Sequence, residues 1–400
     1  MKLGIDCILE EPGLRTKLKG RRVALLGHPA SVTRHGQHTL DALAACADLK
    51  LTAALGPQHG MRGDKQDNMI ESDDYVDPKL GLPVFSLYGK VRRPTRQMMD
   101  AFDVVLVDVQ DIGTRIYTFI TTLGYLLEAA AETGRSVWVL DRPNPAGRTI
   151  EGTILEAGWE SFIGVGPIIM RHGLTMGEFA RWYVAHRKLN VDLQIIAMEG
   201  YDPEAAPGYG WPLFDLAWVN PSPNASSLNM TRCFPGTVLF EGTTLSEGRG
   251  TTNALEVIGA PDVDFNRVLR RAQAFAPDWL GGCQIRPCHF EPTFQKHRGK
   301  LCSGVQIHTD FGGYRPEQFR PYRLGALLLK AIRLEYPGYE LWHRLPYEYE
   351  TDRLAIDLLC GGSFLREWVD NVSASVADFE ARLSPDERAW AEERRPFLMY

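Results

Sequence analysis

Four segments of this 400-residue chain place proton-moving and hydroxyl-binding side chains directly after short apolar runs. RVALLG (22–27) leads into His28, and LTAAL (51–55) leads into Gly56-Pro57-Gln58-His59-Gly60-Met61-Arg62-Gly63-Asp64. DVVLV (103–107) leads into Asp108-Val109-Gln110-Asp111-Ile112-Gly113-Thr114-Arg115-Ile116-Tyr117-Thr118, and VWVL (137–140) leads into Asp141-Arg142-Pro143-Asn144-Pro145. A mixture of carboxylates, amides, imidazoles and guanidinium groups suits chemistry that runs on carboxylates. Glycoside hydrolysis is the leading case, because one acid must protonate the leaving oxygen and a second carboxylate commonly serves as base or nucleophile. An acid buried beside apolar or like-charged neighbours has its pKa raised enough for the first role. Asp108, Asp111, Glu241 and Glu247 are the plausible supply. Tyr117, Tyr209, Trp211 and Trp218 offer ring faces for stacking on a sugar, although core packing is the commoner use of such residues. Capping and turn formation compete for the same Asp, Asn and Thr residues. Capping can account for Thr118 and Asp141, but not for the density of mixed groups over 108–117.

The motifs of other chemistries are missing. No GxGxxG follows the first apolar run, no GxxxxGK[ST] occurs, and Gly248-Arg249-Gly250 has neither the spacing nor the lysine of a phosphate loop. No GxSxG elbow is present. No cofactor is therefore expected. Cys283, Cys288 and His289 lie close together, but their spacing is wrong for the common zinc sites and no fourth ligand is evident, so no metal is expected either.

The elements that must position these residues follow from periodicity. Compact apolar runs at 22–27, 51–55, 84–88, 103–107, 137–140 and 191–198 read as strands buried on both faces. Helical patterns fall between them, near 38–47, 95–101, 118–133 and 176–187. The clearest is 118–133, where Phe119, Leu123, Leu126, Leu127 and Ala130 form one stripe and Gly134 supplies a stop. Strands alternating with helices imply a Rossmann-like, mostly parallel sheet. In such sheets ligands sit beyond the carboxyl ends of the strands, where the four polar segments fall. Pro, Gly, Trp and Asn dominate 201–224, which reads as long ordered loops. A strand at 304–308 and a helix at 323–336 indicate a smaller α+β domain beyond. The fold class is thus α/β, with a Rossmann-like N-terminal domain (1–229) followed by a C-terminal α+β auxiliary domain (230–400).

With 44% apolar residues, 24% charged residues and a net charge of −6, the chain is a globular protein without the charge for nucleic-acid or anionic-membrane binding. The basic cluster Lys90-Val91-Arg92-Arg93-Pro94-Thr95-Arg96 reads as a solvated helix approach or an anion-binding edge. Seven cysteines without a CxxC pair argue against a disulfide framework. No apolar run of signal length follows Met1 and none is long enough to cross a bilayer, so a cytoplasmic location and short soluble substrates are expected. No pattern speaks to oligomeric state.

Longer motifs carry a resemblance. PQHGMRGD (57–64), GLPVFSLYG (81–89), DVQDIGTRIYT (108–118), LDRPNP (140–145), RHGLTMGE (171–178), PSPN (221–224), PGTVLFEGTTLSEGRGTT (235–252) and FQKHRGKLCSGVQIH (294–308) are similar to the exo-β-N-acetylmuramidase family, once known only as a domain of unknown function. The resemblance implies a cleft between the two domains and removal of terminal N-acetylmuramic acid from the non-reducing end of peptidoglycan fragments. That substrate carries a lactyl carboxylate, for which Arg62, Arg115, Arg171 and Arg249 are the candidate clamps. Glu241 and Asp111 are the expected carboxylate pair, with His59 orienting the leaving group or a carboxylate. Asp108, Gln110, Asp141 and Asn144 are expected to bind sugar hydroxyls, and Gln58, Tyr117, Asn224 and Glu247 complete the candidate set. The chain departs from the family motif PEHG by placing Gln58 where a glutamate is usual, and it carries His28 where the family tends to carry Asn. Either Glu71 or Asp64 supplies the missing carboxylate, or the family's glutamate binds rather than catalyses, or this chain is a non-catalytic amino-sugar-binding protein that lost turnover through Gln58.

Overall fold

The computed structural model of the chain describes residues 1–63, 70–344, 346–348 and 350–400; the candidate Asp64 lies outside the described residues. Its strands are β1 (Arg22–Gly27), β2 (Lys50–Gly56), β3 (Tyr75–Val76), β4 (Pro83–Ser86), β5 (Val104–Asp108), β6 (Ser136–Leu140), β7 (Glu151–Ile154), β8 (Ile169–Arg171), β9 (Asp192–Ile196), β10 (Val257–Ala260), β11 (Gln284–Phe290) and β12 (Cys302–His308). Seven of them form one sheet in the order β3-β4-β2-β1-β5-β6-β9, parallel throughout except where β3 pairs antiparallel with β4. The strand order reverses between β1 and β5, which is where an open α/β sheet leaves a crevice at its carboxyl edge. Every residue of β5 and β6 is buried, as their apolar runs require.

The helices form where propensity and capping agree. Phe119–Thr133 stops on Gly134, whose φ of 66° is left-handed and whose N–H bonds Ala130. Met176–Arg187 starts from a reciprocal capping box between Thr175 and Glu178. Two expected helices are shorter than their patterns, Thr39–Ala44 and Arg96–Met99. The helix Gly4–Glu10 and the hairpin β7–β8 had no legible signal. Residues 201–224 hold no helix or strand, and Trp211 and Trp218 meet edge to face at 5.0 Å to order the loop.

The C-terminal half carries a three-stranded antiparallel sheet, β10-β12-β11, against helices Phe265–Phe275 and Pro321–Glu335. Helix Leu228–Thr237 crosses Pro321–Glu335 at glycines. A Cβ on Gly236 would lie 1.8 Å from the Pro321 carbonyl oxygen, and one on Gly325 would lie 2.6 Å from that of Gly236. Only glycine permits this approach, and the chain then runs into a 3₁₀ turn, Val238–Gly242, that carries Glu241.

The two halves share one apolar core, which runs from Val105 and Leu127 to Leu239, Leu327 and Leu358. The last long helix, Val376–Arg394, returns to the N-terminal half. Glu387 and Asp386 accept hydrogen bonds from the backbone of Gly152 (3.2 Å) and Ile154 (2.9 Å), and Trp390 Nε1 donates to the His172 carbonyl at 2.9 Å. Among the described residues no helix is long and apolar enough to cross a membrane.

Candidate active site

A cleft opens beyond the carboxyl edge of the sheet. Gln58 and His59 enter it from the loop after β2, and Tyr117 and Thr118 from the loop after β5. Ser222 and Asn224 enter from the Pro/Asn loop, and Glu241, Arg249, Tyr347 and Glu348 from the C-terminal half. Ile116, Phe119, Met230 and Phe234 supply apolar wall. The combination of an apolar wall with a few convergent polar groups is the usual composition of a small-ligand site.

Charges in the C-terminal wall alternate. Arg249 Nη2 donates to Glu241 Oε1 at 2.6 Å, and its Nε lies 3.3 Å from Glu247 Oε1. Lys296 Nζ in turn donates to Glu247 Oε2 at 2.9 Å and to the Phe240 carbonyl at 2.8 Å. Two acids and two bases thus neutralise one another, which is the condition for keeping buried charges. Burial works to raise the Glu247 pKa, but Lys296 and Arg249 overcome it and hold the carboxyl below its ordinary value. Burial likewise opposes the Arg249 charge, and Glu241 and Glu247 outweigh it. Tyr347 donates its hydroxyl to Glu241 Oε2 at 2.5 Å, so both Glu241 oxygens have donors. Burial, reinforced by Glu241, raises the Tyr347 hydroxyl well above its ordinary pKa and keeps it a donor.

Across the cleft, the Thr118 hydroxyl donates to Gln58 Oε1 at 2.7 Å. With that oxygen engaged, the amide nitrogen of Gln58 is left to hydrogen-bond Glu348. Tyr88 donates to Glu348 Oε2 at 3.0 Å. Burial pushes the Glu348 carboxyl up to about 7; Tyr88 opposes the shift, Glu241 adds to it, and Arg92 and Gln58 oppose it. Tyr347 and Glu350 pair through their backbones, Tyr347 N–H to the Glu350 carbonyl at 3.2 Å and Glu350 N–H to the Tyr347 carbonyl at 2.9 Å. Glu348 takes a left-handed φ of 46°, and His59 on the facing loop takes 69°. Such backbone costs a non-glycine residue roughly 1–2 kcal/mol. The fold spends it here on aiming two titratable side chains into one space.

The structure thus brings together Gln58, His59, Tyr117, Asn224, Glu241 and Arg249 of the sequence candidates, with Glu247 directly behind Arg249. The others stand apart. Asp108 is fully buried and pairs with Arg142, Oδ1 with Nε at 2.5 Å and Oδ2 with Nη2 at 2.9 Å. Asp111 accepts from the Gly113 N–H at 2.6 Å, lies 3.5 Å from His172, and is not among the residues lining the cleft. Gln110 donates to the Asp111 and Pro143 carbonyls at 2.8 and 2.7 Å. Asp141 takes hydrogen bonds from Gly177 N–H (2.8 Å) and Thr175 (2.7 Å) at the start of helix Met176–Arg187, and burial pushes it up to about 6 against those bonds. Asn144 ties Leu174 to Ala146. Arg115 is buried and bonds the Thr153, Ile168, Leu359 and Cys360 carbonyls, with its pKa pushed down to about 10 by burial. Arg171 is fully buried and bonds the Ala146 carbonyl. Arg62 pairs with Asp77 at 3.3 Å in a separate groove, and Glu71 pairs with Arg92 at 3.2 Å on the surface. Thr118 makes no cap hydrogen bond; its hydroxyl serves Gln58 instead. His28 is a buried acceptor for the Gln110 N–H at 2.8 Å. Of the four candidate stacking rings, Tyr117 lines the cleft. In the basic cluster, Arg93 pairs with Glu128, and Arg92 covers the Tyr88 ring at 4.2 Å.

Tyr347 and Glu348 were not among the sequence candidates. Their segment, LPYEYE (345–350), alternates tyrosine and glutamate behind a proline, and that alternation is the available signal.

The chain is similar to known proteins along its whole length. The N-terminal and C-terminal models of the family described as exo-beta-N-acetylmuramidase NamZ match residues 23–229 and 232–400. The chain is 37% identical over 405 residues to the peptidoglycan beta-N-acetylmuramidase NamZ of Bacillus subtilis (strain 168), covering 100% of this chain and 91% of that protein. Two crystal structures of DUF1343 family proteins from Bacteroides fragilis NCTC 9343 are similar along the whole chain. One has a TM-score of 0.84 at 28% identity and the other 0.75 at 26%, each covering 100% of this chain and 98% of the other. The resemblance carried by the motifs and the architecture expected from periodicity both hold, and the chain belongs to the exo-β-N-acetylmuramidase NamZ family.

Proposed function

We propose that this chain is an exo-acting β-N-acetylmuramidase that hydrolyses the terminal N-acetylmuramic acid linkage of peptidoglycan fragments in the cleft between its halves. The observation that carries this reading is the convergence, in one apolar-walled cleft, of two carboxyl groups, an imidazole, two amides and a guanidinium from both halves of the chain. Of the four arginines considered for the lactyl carboxylate, Arg249 is the one that lines the cleft. A guanidinium has five N–H donors, and Glu241 and Glu247 leave Arg249 able to serve a substrate carboxylate as well. Glu241, clamped by Arg249 and Tyr347, is the carboxylate that faces the developing positive charge at the anomeric carbon. His59 is placed to orient the departing group, Tyr117 offers a ring face, and Asn224 and Gln58 offer amides to hydroxyls.

Short soluble fragments, a cytoplasmic place and a role in cell-wall recycling are the finer parts of this reading. Seven free thiols suit a reducing compartment. Release of the chromophore from an aryl β-N-acetylmuraminide, with the aryl β-N-acetylglucosaminide as control, tests the function. Selective release from the muraminide supports it. Binding of N-acetylmuramic acid with no turnover of any muraminide would replace it by a sugar-binding role.

A further inference from the structure

The motif segment FQKH (294–297) is not among the residues lining the cleft. It lies in the loop between β11 and β12, which docks on the stretch 240–250 that carries Glu241, Glu247 and Arg249. The Thr293 N–H and hydroxyl both donate to the Gly250 carbonyl, at 2.9 and 2.8 Å. Gly250 has a φ of 84°, and a Cβ there would lie 2.7 Å from the Phe294 nitrogen, so glycine is what lets the loop sit this close. His297 Nε2 donates to the Thr244 carbonyl at 2.9 Å.

Between these anchors Lys296 turns inward. Its ammonium donates to the carbonyls of Phe240 (2.8 Å), Glu241 (3.3 Å) and Leu245 (3.1 Å) and to Glu247 Oε2 (2.9 Å). An ammonium has three protons, so these acceptors take up its whole donor capacity. Phe240 and Glu241 belong to the 3₁₀ turn Val238–Gly242, and Leu245 follows it. The residues on either side of Lys296, Gln295 and His297, take left-handed φ values of 64° and 58°. Such backbone is costly away from glycine and persists where the surrounding structure enforces it.

We propose that Lys296 is a positioning residue of this site, fixing the turn that aims Glu241 into the cleft and, through Glu247, the Arg249 guanidinium that clamps Glu241. The assignment rests on the muramidase reading above. Lys296 touches no reacting atom. It ties the backbone of Glu241 to the carboxylate behind Arg249, so its loss releases both sides of the clamp together.

The same ammonium controls a charge. Burial raises the Glu247 pKa, and Lys296, ahead of Arg249, brings it below its ordinary value. Without Lys296, burial is opposed by Arg249, and Glu247 takes up a proton at a higher pH. A protonated Glu247 no longer balances the guanidinium that joins it to Glu241. Glu241, Arg249, Tyr347 and His343 are the other charged or titratable groups around the pair.

The test is Lys296→Met, assayed on 4-nitrophenyl β-N-acetylmuraminide at a temperature where circular dichroism shows it folded. It is expected to lose roughly 10²-fold in kcat, the scale of a misplaced reacting group. The acid limb of its pH–rate profile should also move to higher pH, which a loss of packing alone would not cause. Adding Glu247→Gln should abolish that movement, because the group that titrates is gone. An unchanged kcat, a loss equal at every pH, or a moved limb that survives Glu247→Gln overturns the assignment. Should Lys296→Met not fold, Lys296→Arg decides. It keeps the charge, but its planar fork cannot stand as one point among these acceptors, so kcat should fall while the limb stays in place. An unchanged kcat in that variant overturns the assignment. Absence of turnover by the unaltered protein overturns the muramidase reading itself, an outcome distinct from loss confined to the variants.

Discussion

Glu348→Gln should stabilise the protein at the pH where Glu348 is ionised. The carboxyl is raised from 4.5 in the unfolded chain to about 7 in the fold, with burial the largest cause. Between those values the native state holds a proton that the unfolded state has lost, so stability falls as pH rises. The contribution is intact below about pH 4.5 and is lost as pH climbs through 7. Integrating the two titrations from pH 5 to pH 8 gives a loss of about 2.5 kcal/mol. Glutamine has the same shape and no charge to desolvate, so this pH-dependent loss vanishes in the variant. Any fixed change in hydrogen bonding with Tyr88 and Gln58 is the same at both pH values and cancels in the difference. Urea titrations of both proteins at pH 5 and pH 8 provide the check. The difference between variant and parent should shift by about 2.5 kcal/mol in favour of the variant on going from pH 5 to pH 8. A difference independent of pH would refute the argument, because it would mean that Glu348 ionises in the fold as freely as in water.

Gln58→Glu would set a second carboxyl in hydrogen-bond contact with Glu348, and two such groups share one proton, so one apparent pKa of the pair should rise. The pH-dependent loss of stability should then extend above pH 7, as denaturant titrations across pH will show. Arg249→Met leaves Glu241 and Glu247 buried with one shared cation removed, and should cost about 3–5 kcal/mol in denaturant titration along with activity. Gly236→Ala puts a Cβ 1.8 Å from the Pro321 carbonyl oxygen. Forcing the helices apart should cost about 1–3 kcal/mol and displace Glu241, seen as a lower melting temperature and a lower kcat.

The sheet was legible because its signals are local. RVALLG is a strand at 22–27 as read, and helix Met176–Arg187 begins and ends where its capping threonine and basic last turn place it. The rim was legible as a place, since polar groups at strand carboxyl ends mark it in any open parallel sheet. Which rim residues reach the cleft was not. Asp108, Gln110, Asp141 and Asn144 carry the groups a sugar would want, but loops crossing a buried edge must satisfy their own backbone and guanidinium groups, and the same side chains do that. Thr118 fails in the opposite direction: a residue that looked like a cap is a hydrogen-bond donor to Gln58.

By itself the sequence determined the fold class and the family, through apolar periodicity and through motifs such as PGTVLFEGTTLSEGRGTT that tie the chain to the NamZ family. It also supplied six of the cleft residues, because each stands in a motif after a strand or a helix. Only the tertiary structure decided that Glu348, 260 positions from the Tyr88 that bonds it, lies against Gln58, and that Asp111 is not among the residues lining the cleft. The physical reason is that a carboxyl becomes an acid through burial and neighbours, and those neighbours come from distant parts of the chain that meet only when the two halves fold on one core.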